Sequence, residues 1–286
     1  MIKKIDKIKI TGILFLLTGI GLVFFHKYPS DAPYHILIGN LYSNFCAEFI
    51  SIAITILLID QLYEIKEKKS LKSRLIRELG SEERSLTSKA LKELRENNWL
   101  QDGSLKNADL QNANLSNLDL SNANLENVNL TNANLINSNL SNANLNKSTL
   151  TSCRMLGAKL ENTNLSNSTI HSANFQEAIL NKIIASNADF MNCNMDVMEM
   201  VDSNFTQCKF EDVNFTQSNL SRSKFISCNF LRAKVHSTNI KDSSFERCDI
   251  SYLTDWRYLE NRLPNSFLAP TGVPAEFLEF QNLVNL

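Results

Sequence analysis

The sequence predicts an all-β solenoid preceded by a two-helix transmembrane hairpin and an α-helical connector. Three observations carry this reading. Two long apolar segments open the 286-residue chain, and a charged stretch follows over 64–101. From there to residue 253, large apolar residues recur at every fifth position in a background rich in Asn and Ser. The 29 Lys plus Arg against 30 Asp plus Glu leave a net charge of −1, which argues against both a basic nucleic-acid binder and a uniformly acidic mimic. Eight Gly and five Pro exclude collagen-like and Gly/Pro-rich low-complexity classes.

The first apolar segment, 8–25, has Lys9 as its only charge. The second has a 15-residue apolar core, Phe45–Ile59. That is short of the ~20 residues a bilayer needs. Extended to 41–62 it reaches 22 residues, with Tyr42 and Tyr63 at the two interfaces where aromatic belts form. Residues 1–63 therefore read as a hairpin of two spans. A signal peptide is the rival reading of the first segment, but no convincing small-x-small site follows it and a second apolar segment comes soon after. Lys3, Lys4, Lys7 and Lys9 precede the first span, and Lys66, Lys68, Lys69, Lys72, Arg74 and Arg77 follow the second. The loop over 26–41 carries only Lys27. The positive-inside rule then predicts a multi-pass cell-membrane protein with both ends in the cytoplasm.

Glu48 lies inside the second span and Asp60 near its inner end. Glu48, Ser51 and Thr55 share one helical face. Ala47, Ser51 and Thr55 form a small-xxx-small series suited to close helix packing. An ionisable residue within a span marks either packing and oligomerisation or a proton or ion pathway.

The connector, 64–101, holds a helical stripe of Leu71, Leu75, Ile76 and Leu79, stopped by Gly80. Ser81 is the expected N-cap of a second helix over about 82–97, with Leu86, Ala90, Leu91 and Leu94 buried. Lys66–Lys72 suit either a solvated spacer or contact with anionic lipid.

The array over 102–253 decides the fold. Thirty positions, 105 to 250, keep the five-residue register without insertion: 14 Leu, 8 Phe, 3 Met, 3 Ile, one Val and one Ala. Five residues advance an α-helix by about 500°, so no stripe results. In a straight strand an odd period alternates faces. A chain that runs briefly extended and then turns a corner every five residues keeps all of these positions, here called centres, on one side. The residue two before each centre points the same way. It is small almost throughout, the exceptions being Leu118, Ile183 and Met198. Large and small inward residues together fit a narrow solenoid interior. The residue before the centre is Asn or Asp in 18 of 30 repeats. Asn also fills 107 and every fifth position through 142, where stacked coils would form amide ladders.

The stretch NADLQNANLSNLDLSNANLENVNLTNANL resembles the A(D/N)LXX pattern of the pentapeptide-repeat family, and about 150 residues share it. The resemblance implies a right-handed quadrilateral parallel β-helix with four repeats per coil. Thirty repeats then make 7.5 coils, a rod of roughly 36 Å. ALKELRENNWLQDGSL and AEFISIAITILLIDQLYE resemble the lead-in and second span of the membrane-anchored bacterial type, which implies the bacterial inner membrane.

Cys153, Cys193, Cys208, Cys228 and Cys248 occupy the small inward position and Cys46 the second span. Without CxxC spacing they read as reduced, buried residues, so no metal and no cofactor is expected. Both open ends of the array need caps. Trp99 just before it and Trp256 just after it are assigned to that role, with a C-terminal helical cap over 254–286.

No nucleophile–His–acid set or phosphate loop is visible, so an enzyme is not expected. The family resemblance includes soluble rods that mimic DNA and shield topoisomerase. Residues 102–253 carry 15 acidic and 12 basic side chains, a net of −3, which disfavours that role and nucleic acid as a partner. Ile179 and Ile184 replace Asn or Asp, while Met191 and Val201 follow centres and should face solvent. They mark either a surface for a partner or a second copy, or a local irregularity. The expected function is a non-enzymatic anchor in the lipid bilayer, presenting a rigid cytosolic rod to a protein partner. The alternative is a membrane-perturbing effector or channel in stress or antiviral defence.

Overall fold

The computed structural model describes residues 2–25, 35–250 and 252–253. The chain divides into two compact units, Met1–Leu71 and Lys72–Leu286, so the first unit takes in the start of the connector.

The first unit holds helix α1 (Ile2–Phe25) and most of α2 (His35–Leu79). Apart from Gly39 no helix breaker occurs within α2, so the second apolar segment and the connector stripe form one helix with no boundary near residue 63. Among the described residues, one helix is long and apolar enough to cross a membrane, within Asn44–Leu79. The apolar stretch Ile8–Gly21 of α1 is shorter.

The two helices meet along seams with seven-residue spacing. A Cβ on Gly12 would meet Ile56 Cγ2 at 3.0 Å, and one on Gly19 would meet Ile50 Cγ1 at 3.0 Å. Phe15 stacks on Phe49 between them, at 5.6 Å and 28°. On α2, Cys46, Ala53 and Asp60 are buried. Two glycines and an alanine permit this close approach. The expected series Ala47, Ser51 and Thr55 does not serve it, because all three are exposed.

In the second unit the last turns of α2 bury Leu75 and Leu79. Gly80 ends the helix, where a Cβ would come 3.0 Å from the Asp109 carbonyl. Helix α3 (Arg84–Glu96) follows. Glu83, not Ser81, is its N-cap, and the Ser81 hydroxyl accepts the Glu83 N–H at 3.0 Å. Thr87 replaces Leu86 on the buried face, because its hydroxyl donates to the Asn114 carbonyl at 2.7 Å. The Asn114 N–H donates to the Ser81 carbonyl at 2.9 Å and the Asn124 N–H to the Leu100 carbonyl at 2.8 Å. The connector thus occupies open backbone positions on the first coil. Trp99 belongs to this segment. Its N–H donates to the Leu94 carbonyl at 2.9 Å, and the Lys72 ammonium lies 4.9 Å from its ring centroid. Trp256 and the expected helices over 254–286 lie outside the described residues.

The repeats build a four-sided parallel β-solenoid. Parallel bridges link residues twenty apart, from Asp109↔Asn129 to Asn229↔Asp249. Most sides are too short to count as strands. Four on one side qualify, β1 (Ile184–Ser186), β2 (Asn204–Thr206), β3 (Lys224–Ile226) and β4 (Ser244–Glu246), in the order β1-β2-β3-β4.

The repeat provides a partner for each kind of backbone N–H. The centre bonds to the next coil, as Leu110 N–H does to the Asn129 carbonyl at 2.8 Å. The residue before the centre reaches the preceding coil, as Asn129 N–H does to the Ala108 carbonyl at 3.0 Å. Two after the centre, Asn112 N–H donates to the Thr131 carbonyl at 2.9 Å, and the small residue closes the turn, as Ala113 N–H does to the Leu110 carbonyl. The remaining N–H, one after the centre, is taken by the Asn or Asp before the centre, as Thr131 N–H is by Asn129 Oδ1 at 3.1 Å. That bond is a physical reason for the Asn/Asp column. The amide ladders also run mainly along this column, as in Asn139 Nδ2 to Asp119 Oδ1 at 3.0 Å. In the column where ladders were expected, Asn127 reaches Asn107 at 2.7 Å.

The column at 107 and every fifth residue to Tyr252 is instead the corner, where φ lies between 53° and 63°. Asn tolerates this left-handed region better than other non-glycine residues. Val197, with φ 57°, is β-branched and 43% exposed. Val197→Asn should stabilise the array by about 1 kcal/mol. The thermal midpoint should rise by roughly 2–4 °C, and an unchanged or lower midpoint contradicts the strain.

The small inward residues keep the interior closed. The hydroxyls of Thr163, Ser203 and Thr238 donate to the Leu140, Leu180 and Phe215 carbonyls at 2.8–2.9 Å. From Phe175 onward the core turns aromatic. Phe190, Phe210 and Phe230 stack at 5.0 Å intervals, and Phe205, Phe225 and Phe245 form a second stack at 5.3 and 4.8 Å. Ala185, the one small centre, pairs with Phe205, and both it and Ile183 are buried. Ile183 N–H donates to Ser203 Oγ at 3.0 Å, one coil on. Ala185→Leu alone should therefore overpack by about 1–3 kcal/mol. Adding Ile183→Ala should recover much of the loss. A double variant melting no higher than Ala185→Leu alone excludes shared space between the two residues.

Candidate functional surfaces

Glu48, Ser51 and Thr55 are all exposed on α2, on the side turned away from the α1 seam. The Thr55 hydroxyl donates to the Ser51 carbonyl at 2.9 Å. The hairpin also exposes Ile10, Leu14 and Leu17 of α1 and Phe45, Leu58 and Leu62 of α2. The polar face is therefore set among apolar side chains.

The four apolar candidates of the array do not converge. Ile179 and Val201 lie on one side of the solenoid, Ile184 on the next and Met191 on the one after. Ile184 is 61% exposed, Ile179 and Met191 are half-buried, and Val201 is 8% exposed. The expectation that Val201 faces solvent is thus corrected. Its N–H is held by Asn181 Oδ1 at 2.8 Å, one coil before, where Glu199 stands in place of an Asn. Val197, at a corner position with φ 57° and 43% exposed, is a further apolar side chain on the surface of the array.

Among the described residues no three His, Cys, Asp or Glu side chains come together as a metal site. The nearest thing to a chemical cluster is His171 Nε2 and Lys209 Nζ, each 3.1 Å from Asp189 Oδ2. Burial raises the Asp189 carboxyl, but the adjacent His171 ring and hydrogen bonds from Lys209 and the Met191 N–H outweigh it and hold it below its usual range. This is an ion-pair arrangement across adjacent coils.

The family models match the same stretch. One for pentapeptide repeats, in eight copies, matches residues 100–132, 129–167 and 171–207. A second, for a pentapeptide repeat region, matches 198–256, and together they span more than half of the chain. The chain belongs to the pentapeptide-repeat family. No curated protein matches it. Among solved structures, HetL from the cyanobacterium Nostoc sp. strain PCC 7120, a pentapeptide-repeat protein involved in heterocyst differentiation regulation, is 15% identical. It covers 57% of this chain and 86% of its own, with a TM-score of 0.23. Full-length QnrB1, a plasmid-mediated fluoroquinolone resistance protein, is 14% identical over 49% of this chain and 83% of its own, with a TM-score of 0.25. Rfr23 from the cyanobacterium Cyanothece 51142 is 23% identical over 41% and 58%, with a TM-score of 0.23.

In this pentapeptide-repeat protein the twenty-residue coil also explains the ion pairs. Arg222 and Arg232 each grip the aspartate twenty residues earlier, Asp202 and Asp212, with two hydrogen bonds of 2.6–2.8 Å. Opposite charges at i and i+20 are the sequence signal for such pairs. The pentapeptide-repeat thiols are all free and buried. Burial pushes Cys153 and Cys193 up to about 12, so neither is a thiolate at neutral pH. Cys208, Cys228 and Cys248 stack one above another, and the flanking thiols together with burial push Cys228 up.

Proposed function

We propose that this pentapeptide-repeat protein is a non-enzymatic membrane protein whose N-terminal hairpin anchors a rigid cytosolic solenoid that binds a protein partner. The observation that carries the reading is the apolar surface of the hairpin. Exposed Ile10, Leu14 and Leu17 on one helix and Phe45, Leu58 and Leu62 on the other suit hydrocarbon and would be a large liability in water. The basic flanks favour both ends in the cytoplasm and the bacterial inner membrane as the location. The saturated backbone bonding of the array supports a rigid binding platform.

The test is topology. A reporter fused after residue 286 should signal cytoplasm, and one placed within 28–40 should signal the outside. Reversed signals, or recovery of the full chain in the soluble fraction, would sink the reading. A second reading, a membrane-perturbing effector, is favoured by the exposed Glu48–Ser51–Thr55 face. It requires conductance or toxicity on overexpression that Glu48→Ala abolishes.

A further inference from the structure

We infer that the cleft at the Lys9–Glu64 end of the hairpin binds the headgroup of a phospholipid carrying a primary ammonium. The inference rests on the membrane reading above. The cleft has a volume of about 330 Å³; its polar lining is Lys9, Asp60, Gln61 and Glu64, and its apolar lining is Ile54, Leu57 and Leu58. Asp60 is 3% exposed and lies on the stripe of α2 that also carries buried Cys46 and Ala53. Among the described residues, no ion pair or hydrogen bond reaches its carboxylate. Lys9, the one cation among the described lining residues, is engaged with Glu64 at 3.3 Å. The Asp60 side chain opens onto the cleft, so a cation with N–H donors that enters there can hydrogen-bond to it.

The surroundings narrow the ligand. Ile54, Leu57 and Leu58 offer an apolar wall for a glycerol backbone and acyl chain. Lys9 and Glu64 are partly exposed at the mouth, where Lys9 can also face a phosphate. A buried negative charge beside a positive charge at the rim complements a zwitterion whose ammonium enters first. A choline headgroup has no N–H to donate, and an anionic glycerol headgroup places no cation against Asp60. With basic residues flanking both helices at this end, the cleft lies at the level of inner-leaflet headgroups.

The experiment uses the full chain in nanodiscs of equal phosphatidylethanolamine, phosphatidylcholine and phosphatidylglycerol. Native mass spectrometry reads the lipids that stay bound. The wild type should retain phosphatidylethanolamine about tenfold over phosphatidylcholine, as a charge-assisted hydrogen bond implies. Asp60→Asn, which keeps shape and removes charge, should bring the ratio close to one. Leu58→Trp, which fills the cleft and leaves its charges untouched, should do the same. Equal retention of the two lipids by the wild type overturns the site, as does preferred retention of phosphatidylglycerol or a preference that survives in both variants. A chain that never enters the nanodiscs overturns the membrane reading and the site with it. Incorporation without selectivity overturns the site alone.

Discussion

Leu125→Asp should abolish the folded array at temperatures where Leu125→Ala still folds. Leu125 is fully buried, and its stacked neighbours one coil before and after, Leu105 and Leu145, are fully buried as well. Its own N–H is bonded to the Asn144 carbonyl at 2.9 Å, and the Asn127 and Val128 N–H groups bond to carbonyls at 2.9 and 3.3 Å. A carboxylate arriving there meets apolar side chains and backbone groups already engaged. Its burial without a partner should cost several kcal/mol. Leu125→Ala removes three side-chain carbons and should cost about 2–5 kcal/mol. In a solenoid each coil is held by its neighbours, so a failed coil at this height separates the cap side from the rest. Thermal unfolding followed by far-ultraviolet circular dichroism measures both variants. An Asp variant that melts with the wild type would show that residue 125 does not point inward.

Phe210→Ala should be among the most destabilising truncations in the array, at about 3–5 kcal/mol. Its ring lies 5.0 Å from Phe190 and from Phe230, nearly parallel to both at 10° and 17°. It also meets Phe205 and Phe225 edge-on, at 5.4 and 5.9 Å, and Phe215 at 5.6 Å. Truncation opens a cavity and removes aromatic contacts worth roughly 0.5–1.5 kcal/mol each beyond their area. The comparison is Leu130→Ala, in the same column among aliphatic side chains, which should cost less. Equal shifts in urea midpoint for the two variants would show that the stacked rings add nothing to ordinary burial.

Much of the solenoid was legible because its geometry repeats in the chain. A period of five with a small residue two places before each centre admits one inward face, and Ala185 beside Ile183 showed where that pattern bends. The Phe stacks were equally available, as Phe at 190, 210 and 230 and at 205, 225 and 245. Reading them requires the twenty-residue coil to be applied to side chains as well as to backbone. The functional surfaces were less legible. The repeat position puts Val201 in solvent, but its N–H donates to Asn181 Oδ1 on the preceding coil and its side chain is covered. The Asn/Asp column was explained by turn preference, although its members cap the N–H two residues on and ladder across coils.

The sequence by itself determined the repeat, its register, the identity of the inward positions, the two apolar helices and the charged connector. These follow from periodicity and hydrophobicity, which are properties of neighbouring residues along one chain. The tertiary structure alone decided which side of each hairpin helix is covered. It turned Gly12, Gly19 and Ala53 into the hairpin seam and left Glu48, Ser51 and Thr55 on the outside. It also buried Asp60 in a cleft beside Lys9 and Glu64. A helix carries several candidate faces at once. The choice among them depends on the shape and charge of the partner helix, which no local pattern contains.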